Sequence, residues 1–130
     1  MTRVLVCGGR NLDAADVWDW LERNLRDALQ ERFGHQAWPV TVLMHGGANG
    51  ADGGAGLWAG SENIKILAFE ADWKRHGRAA GPIRNSTMLR DGKPDVVVAF
   101  PGGKGTANMK SQAEEFGVPV IEAFWRRGWK

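Results

Sequence analysis

Three glycine clusters stand where short apolar runs give way to helical patterns. Val4–Cys7 leads into Gly8, Gly9 and Arg10. Val40–Met44 leads into His45, Gly46, Gly47, Ala48, Asn49, Gly50, Ala51 and Asp52. Val96–Phe100 leads into Pro101, Gly102, Gly103, Lys104, Gly105 and Thr106. Glycine lets a backbone approach a ligand closely and tolerates positive φ. A helix start beyond such a turn offers unpaired N–H groups and a partial positive charge, which together suit a phosphate. Lys104 would add a full charge and Thr106 a hydroxyl donor. Any one of these turns could be glycine-rich for geometry alone. Three of them, at the ends of three strands, argue for a shared anion site.

Asp52 has two readings. It could bind a ribose hydroxyl, as acidic residues do in dinucleotide folds, or satisfy backbone N–H groups at a helix start. No cluster matches G-x-G-x-x-G followed by an acid about 20 positions on, nor G-x-x-x-x-G-K-[ST], so neither standard phosphate loop is present. A second feature runs from Asp72 to Asn85. It holds Lys74, Arg75, His76, Arg78 and Arg84, with no acid after Asp72. Arginine can grip a phosphate through two parallel hydrogen bonds, and Trp73 could stack on a base. Trp73, Lys74, Arg78, Arg84 and Asn85 are therefore candidate contacts. The bland reading of the same stretch is a solvated loop with an incidental charge excess. Were the protein an enzyme, Asp52, Asp72 or His76 would have to supply the acid–base chemistry, with Arg84 as a further catalytic candidate; a free histidine titrates near a suitable pKa of about 6.5.

The elements that would position these groups alternate along the chain. Val4–Cys7, Val40–Met44, Ile64–Phe69, Val96–Phe100 and Val118–Phe124 are short and apolar, and each is bounded by Gly, Pro or charge, so they predict strands. Their unbroken hydrophobicity predicts burial on both faces, as in a parallel sheet. In Asp13–Phe33, residues Val17, Leu21, Leu25, Ala28 and Leu29 recur at helical spacing, with Asp13 placed to cap the start. Ala51–Ser61, Pro82–Asp91 and Thr106–Phe116 predict further helices, the proline suiting a first turn. The order β-α-β-α-β-loop-α-β-α-β specifies a single α/β domain over residues 1–130, a Rossmann-like, doubly wound, mainly parallel five-stranded sheet. Ligands in such folds bind outside the carboxyl ends of the strands, near the point where strand order reverses.

Composition narrows the partners. Glycine supplies 18 of 130 residues, against a usual share of about 7%. Net charge is +2 and the isoelectric point about 9.0, which fits an anionic ligand and is weak for a surface that tracks nucleic acid. The single cysteine, Cys7, excludes an intramolecular disulfide and a multi-cysteine metal site. No metal-ligand cluster is legible, although a phosphate ligand could carry Mg²⁺ with it. No run approaches the roughly 18 apolar residues of a membrane span, so the expected compartment is the cytoplasm. Seven tryptophans without a tyrosine suggest core and homodimer-interface rings. The tail from Trp125 to Lys130 mixes basic and aromatic residues, which suits either a frayed end or a stacking surface for single strands.

These stretches together resemble the SLOG superfamily, and most of all its YspA-like branch. The resemblance rests on Val4–Arg10, His45–Asp52, Ala71–Asn85 and Lys93–Thr106, in that order. It implies a Rossmann-like fold and a nucleotide or nucleotide-derived ligand, sensed or sequestered in bacterial and phage conflict systems. A related group, the LOG-type phosphoribohydrolases, cleaves the base–ribose bond of nucleoside monophosphates and carries P-G-G-x-G-T-x-x-E. Pro101, Gly102, Gly103, Gly105 and Thr106 match that motif, Arg84 is set against an arginine of the group, and Met109 stands at the glutamate position. Methionine can neither transfer a proton nor stabilise a cationic sugar. The resemblance thus implies a binding module, with a hydrolase of N-glycosidic or phosphate bonds and a DNA-binding protein as the alternatives.

Overall fold

The structure is a computed structural model that describes residues 1–124. The mixed basic and aromatic tail, Trp125 to Lys130, lies outside the described residues. Five parallel strands, β1 (Thr2–Cys7), β2 (Val40–His45), β3 (Lys65–Ala68), β4 (Val96–Ala99) and β5 (Val120–Glu122), form one sheet in the order β3-β2-β1-β4-β5. The chain reverses direction across the sheet between β1 and β4. Register follows the apolar runs: Val4 lies beside Leu43 on one side and Val96 on the other.

Alternate residues of the central strands enter different layers, as the pleat requires. Val4, Val6, Leu43, Val96 and Val98 pack against α1 (Ala14–Trp20), α2 (Arg26–Phe33), the segment Leu21–Leu25 that joins them, and α3 (Ala51–Ser61), through Val17, Leu21, Leu25, Leu29, Ala55 and Trp58. Leu5, Met44 and Val97 face α5 (Ala80–Gly92) and α6 (Lys104–Phe116) through Met88, Leu89, Met109 and Ala113. Asp13 caps α1, its Oδ1 accepting from the Ala15 amide at 2.8 Å. The helix expected over Asp13–Phe33 passes through one π segment, Leu21–Leu25, and this widened turn keeps both leucines in the core. Trp58 is buried, and its indole N–H donates to Glu22 at 2.9 Å. Trp20 meets Phe100 edge to face at 5.4 Å.

Two expectations need correction. Burial on both faces holds for β1, β2 and β4 but fails for the edge strands: no residue of β5 is buried, and in β3 Lys65, Ile66 and Ala68 are exposed. The strand order leaves each of these two with a neighbour on one side only. The basic stretch expected as a loop instead forms a short helix, α4 (Trp73–His76), then a 3₁₀ turn, Gly77–Ala79, that runs directly into α5. Asp72 starts α4 by accepting from the Arg75 amide at 3.1 Å, and Pro82 falls in the first turn of α5. Among the described residues, no helix is long and apolar enough to cross a membrane.

The crossing of α1 and α3 depends on Gly54. A Cβ there would lie 2.6 Å from the Ala14 carbonyl oxygen and 2.7 Å from Val17 Cβ, neither of which can swing away. Alanine gains at most about 1 kcal/mol of helix propensity over glycine, whereas overpacking costs about 1–3 kcal/mol. Gly54→Ala should therefore destabilise the protein. Gly60→Ala, in the same helix with nothing within 4 Å of the new Cβ, should stabilise it by about 0.4–1 kcal/mol. Urea unfolding should show the two midpoints moving in opposite directions at constant slope.

Candidate functional site

Beyond β1, β2 and β4 the backbone of one turn touches that of another. The Gly9 amide donates to the Pro101 carbonyl at 2.8 Å, and the Gly9 carbonyl accepts from the Ala51 amide at 3.1 Å. Gly50 has a φ of +65°, and any side chain there would collide with the Gly9 carbonyl. A Cβ at Gly102 would collide with the Thr106 hydroxyl oxygen. Glycine at these two positions is what lets the turns interlock. Gly103 and Gly105 differ: a Cβ at either would meet nothing within 4 Å. Packing does not demand glycine there, and its effect is to leave the backbone at the start of α6 bare. No side chain caps that helix, so the N–H groups of its first turn face outward with their partial positive charge.

The three turns enclose a cleft of about 640 Å³, within the usual range for small-molecule sites of roughly 300–1,000 Å³. Gly8, Gly9 and Arg10 line one side and Pro101, Gly102, Gly103, Lys104, Gly105 and Thr106 another; Gly46, Asp52, Arg84 and Asn85 complete the wall, with Cys7, Met88 and Met109 also lining it. Arg84 Nη1 donates to the Gly46 carbonyl at 2.8 Å, and its Nε donates to Asn85 Oδ1 at 3.0 Å. The Asn85 amide in turn donates to Asn108 Oδ1 at 3.0 Å, which also accepts from Gln112 at 2.8 Å. Arg84 is thus held by α5 and α6 together. Arg10 and Lys104 are exposed and form no ion pair among the described residues.

Asp52 is buried, and its Oδ2 accepts from the Gly46 and Ala48 amides, each at 3.2 Å. Loss of solvent raises its pKa; the Ala48 hydrogen bond, the His45 and Arg84 charges and the Gly46 hydrogen bond oppose that rise. Of its two readings the turn-holding one is seen directly, though the position is satisfied within the β2 turn and not at the helix start. Burial pushes the Cys7 thiol up to about 12, helped by the Asp52 charge, so a nucleophilic thiolate is not accessible near neutral pH. Met109 is 1% exposed and brings only a thioether to the cleft. Among the described residues, no group of three or more His, Cys, Asp or Glu side chains is placed to hold a metal ion.

A second hollow of about 360 Å³ adjoins the first and shares Arg10, Gly46, Ala48 and Arg84 with it. Gly47, Asn49, Glu70, Ala71 and Trp73 complete its lining. The structure therefore brings most sequence candidates to two connected hollows. His45, Lys74, His76 and Arg78 line neither of them. The His45 ring turns back on its own loop, where Nδ1 accepts from the Gly47 amide at 3.0 Å. Lys74 and Arg78 are exposed around α4, and His76 borders a further hollow with Asp72 and Ile83, which shares Glu70, Ala71 and Arg84 with the second. Sequence reasoning missed Glu70, Asn108 and Gln112. Glu70 could have been found from its place directly after β3, at the binding edge of the sheet; the other two sit mid-helix and carry no sequence signal.

Comparison with known proteins agrees with the fold. Residues 2–76 match the model of the YspA, cpYpsA-related SLOG family. The chain belongs to this family. The match spans the first two glycine turns and ends before Arg84 and the Pro101–Thr106 turn. The Gene 61 protein of Mycobacterium phage D29 is 39% identical over 129 aligned positions, covering 93% of this chain and 95% of that protein. Among solved structures, DNA processing protein A (DprA) from Streptococcus pneumoniae superposes with a TM-score of 0.67 at 18% identity, over 94% of this chain. The chain spans 50% of the length of that structure, and the likeness is one of fold.

Burial depresses the His45 pKa below its ordinary value, with the Asp52 charge pulling the other way. As pH falls, the unfolded chain takes up this proton first. The stability that neutral His45 provides is thus present above about pH 6.5 and is lost as pH drops through the folded-state value. Protonation would also remove the acceptor of the Gly47 amide. His45→Asn keeps an acceptor and cannot titrate. Thermal unfolding between about pH 7.5 and pH 5 should show wild type losing stability relative to this variant. The His45 ring resonance should titrate below the free-histidine midpoint of about 6.5.

Proposed function

We propose that the protein binds a nucleotide or nucleotide-derived ligand in the cleft beyond β1, β2 and β4, phosphate first, and senses or sequesters it without turnover. One observation carries the reading: interlocked glycine turns bring the uncapped start of α6 and Arg84 to one cleft, with Arg10 and Lys104 exposed in its lining and without an ion pair among the described residues. Preorganised N–H donors and unpaired cations around a concave site are the chemistry that a phosphate needs. Met109 at the position of a LOG-type glutamate favours binding over hydrolysis. A hydrolase reading has Asp52 in its favour, a buried cleft carboxylate with a raised pKa, yet its Oδ2 is already committed to two backbone amides. A homodimer and a phosphate-borne Mg²⁺ are compatible with this site and belong to the same proposal. For DNA the support is a shared fold and a net charge of only +2.

Thermal unfolding against nucleoside mono-, di- and triphosphates, ADP-ribose, NAD and cyclic oligonucleotides tests the proposal. At 100 times its dissociation constant a ligand should stabilise the fold by about 2.7 kcal/mol, a shift of several degrees. Arg84→Ala should weaken binding roughly ten- to hundredfold, the scale of lost hydrogen bonds to a charged group. Lys104→Ala, at an exposed position, should weaken it less and flatten its salt dependence. Ligand recovered intact after incubation marks a binding module; breakdown that is abolished in Asp52→Asn marks the hydrolase. No shift across the panel overturns the nucleotide reading.

A further inference from the structure

We propose that the hollow beside the phosphate cleft is a base subsite that selects guanine, with Trp73 as the stacking face and Glu70 as the acceptor that reads the base edge. The proposal rests on the nucleotide reading of the main cleft. The two hollows share Arg10, Gly46, Ala48 and Arg84, so a ligand with its phosphate on the glycine turns can extend into the second.

Trp73 is 53% exposed, a large ring left in solvent. It is nonetheless positioned: its Cη2 lies 3.4 Å from where a Cβ on Gly81 would stand, so the start of α5 backs its far edge. Glu70 lies over the backbone of another turn. Its stem crosses the β2 turn at Gly47, where φ is +77° and a Cβ would lie 2.9 Å from Glu70 Cγ. Glycine at 47 thus leaves the space that the glutamate occupies. The carboxylate is exposed and forms no hydrogen bond or ion pair among the described residues. An exposed ring and an unengaged carboxylate line one hollow, which shares four residues with the phosphate cleft.

An ionised carboxylate only accepts hydrogen bonds. Guanine offers it two adjacent donors, the ring N1–H and the exocyclic N2 amino group, which match its two oxygens in parallel. Adenine and cytosine each offer one amino group beside a ring nitrogen lone pair, which would face the second oxygen and repel it. Hypoxanthine keeps N1–H and lacks the amino group. Stacking on Trp73 is available to every base, because each has a π face; selection therefore falls to Glu70.

Calorimetric titration with GMP, IMP, AMP and CMP, and with ribose 5-phosphate as a baseless probe of the main cleft, tests this. Wild type should bind GMP at least tenfold more tightly than AMP or CMP, with IMP between. Glu70→Gln should remove most of that preference and leave ribose 5-phosphate affinity unchanged. Trp73→Ala should weaken all four nucleotides and spare ribose 5-phosphate. Both side chains are exposed, so circular dichroism should report the wild-type fold for each variant. A preference for another base, or Glu70→Gln weakening every nucleotide equally, overturns the guanine subsite while the nucleotide reading stands. Absence of binding by all five probes also overturns the guanine subsite, while the nucleotide reading falls only if the wider panel of di- and triphosphates, ADP-ribose, NAD and cyclic oligonucleotides fails as well.

Discussion

Main chain packs against main chain where the central strands end, and the rest of the site follows from that contact. Gly9 is bonded on both sides, its amide to the Pro101 carbonyl and its carbonyl to the Ala51 amide. These bonds tie the ends of β1 and β4 to the start of α3 without an intervening side chain. Such closeness is available only where Cβ atoms are absent, which is why Gly50 and Gly102 abut their neighbours so tightly. The interlock fixes the spacing between turns and hence the shape of the cleft. It also consumes backbone polar groups that would otherwise need water or a ligand.

The second constraint is electrostatic. A buried carboxylate is costly unless its oxygens are engaged, and Asp52 meets that condition through the Gly46 and Ala48 amides. The same turn gives its Gly46 carbonyl to Arg84. One loop therefore positions an acid and a base with its own backbone, and the arginine is braced from the other side by the Asn85–Asn108–Gln112 chain. Held this way, the guanidinium needs little reorganisation to meet an anion. Lower ordering cost is one of the main routes by which a fixed site gains affinity. Arg10 and Lys104 at the rim lack such bracing and are suited to attracting an anion before contact.

The chain also shows how the strength of a sequence signal depends on burial. The apolar runs that became β1, β2 and β4 are enclosed on both faces, so their composition and their structure agree. Ile64–Phe69 has much the same composition and became an exposed edge. Hydropathy records what a strand can bury; its place in the sheet depends on which strands pair beside it. The basic segment after β3 misled in a similar way. Its charges suggested a loop, yet Asp72 caps a turn of helix there, and Lys74 and Arg78 end up away from both hollows.

By itself the sequence determined the α/β class, the alternation of the five strands with the main helices and the three glycine-rich strand ends that line the cleft. Those features are local: strand length, helical spacing and glycine at turns are set by neighbours along the chain. The SLOG resemblance was legible for the same reason, since its motifs are contiguous. Only the tertiary structure decided how the candidates sort among themselves. It turned His45 inward to its own loop, engaged Asp52 with backbone amides, joined Arg84 to residues of α6, and brought Glu70 and Trp73 to the lining of one hollow. Each of these depends on the direction of a side chain relative to an element distant in sequence. That direction is fixed by the pairing of strands and the packing of helices, and it leaves no mark in the spacing of residues along one segment.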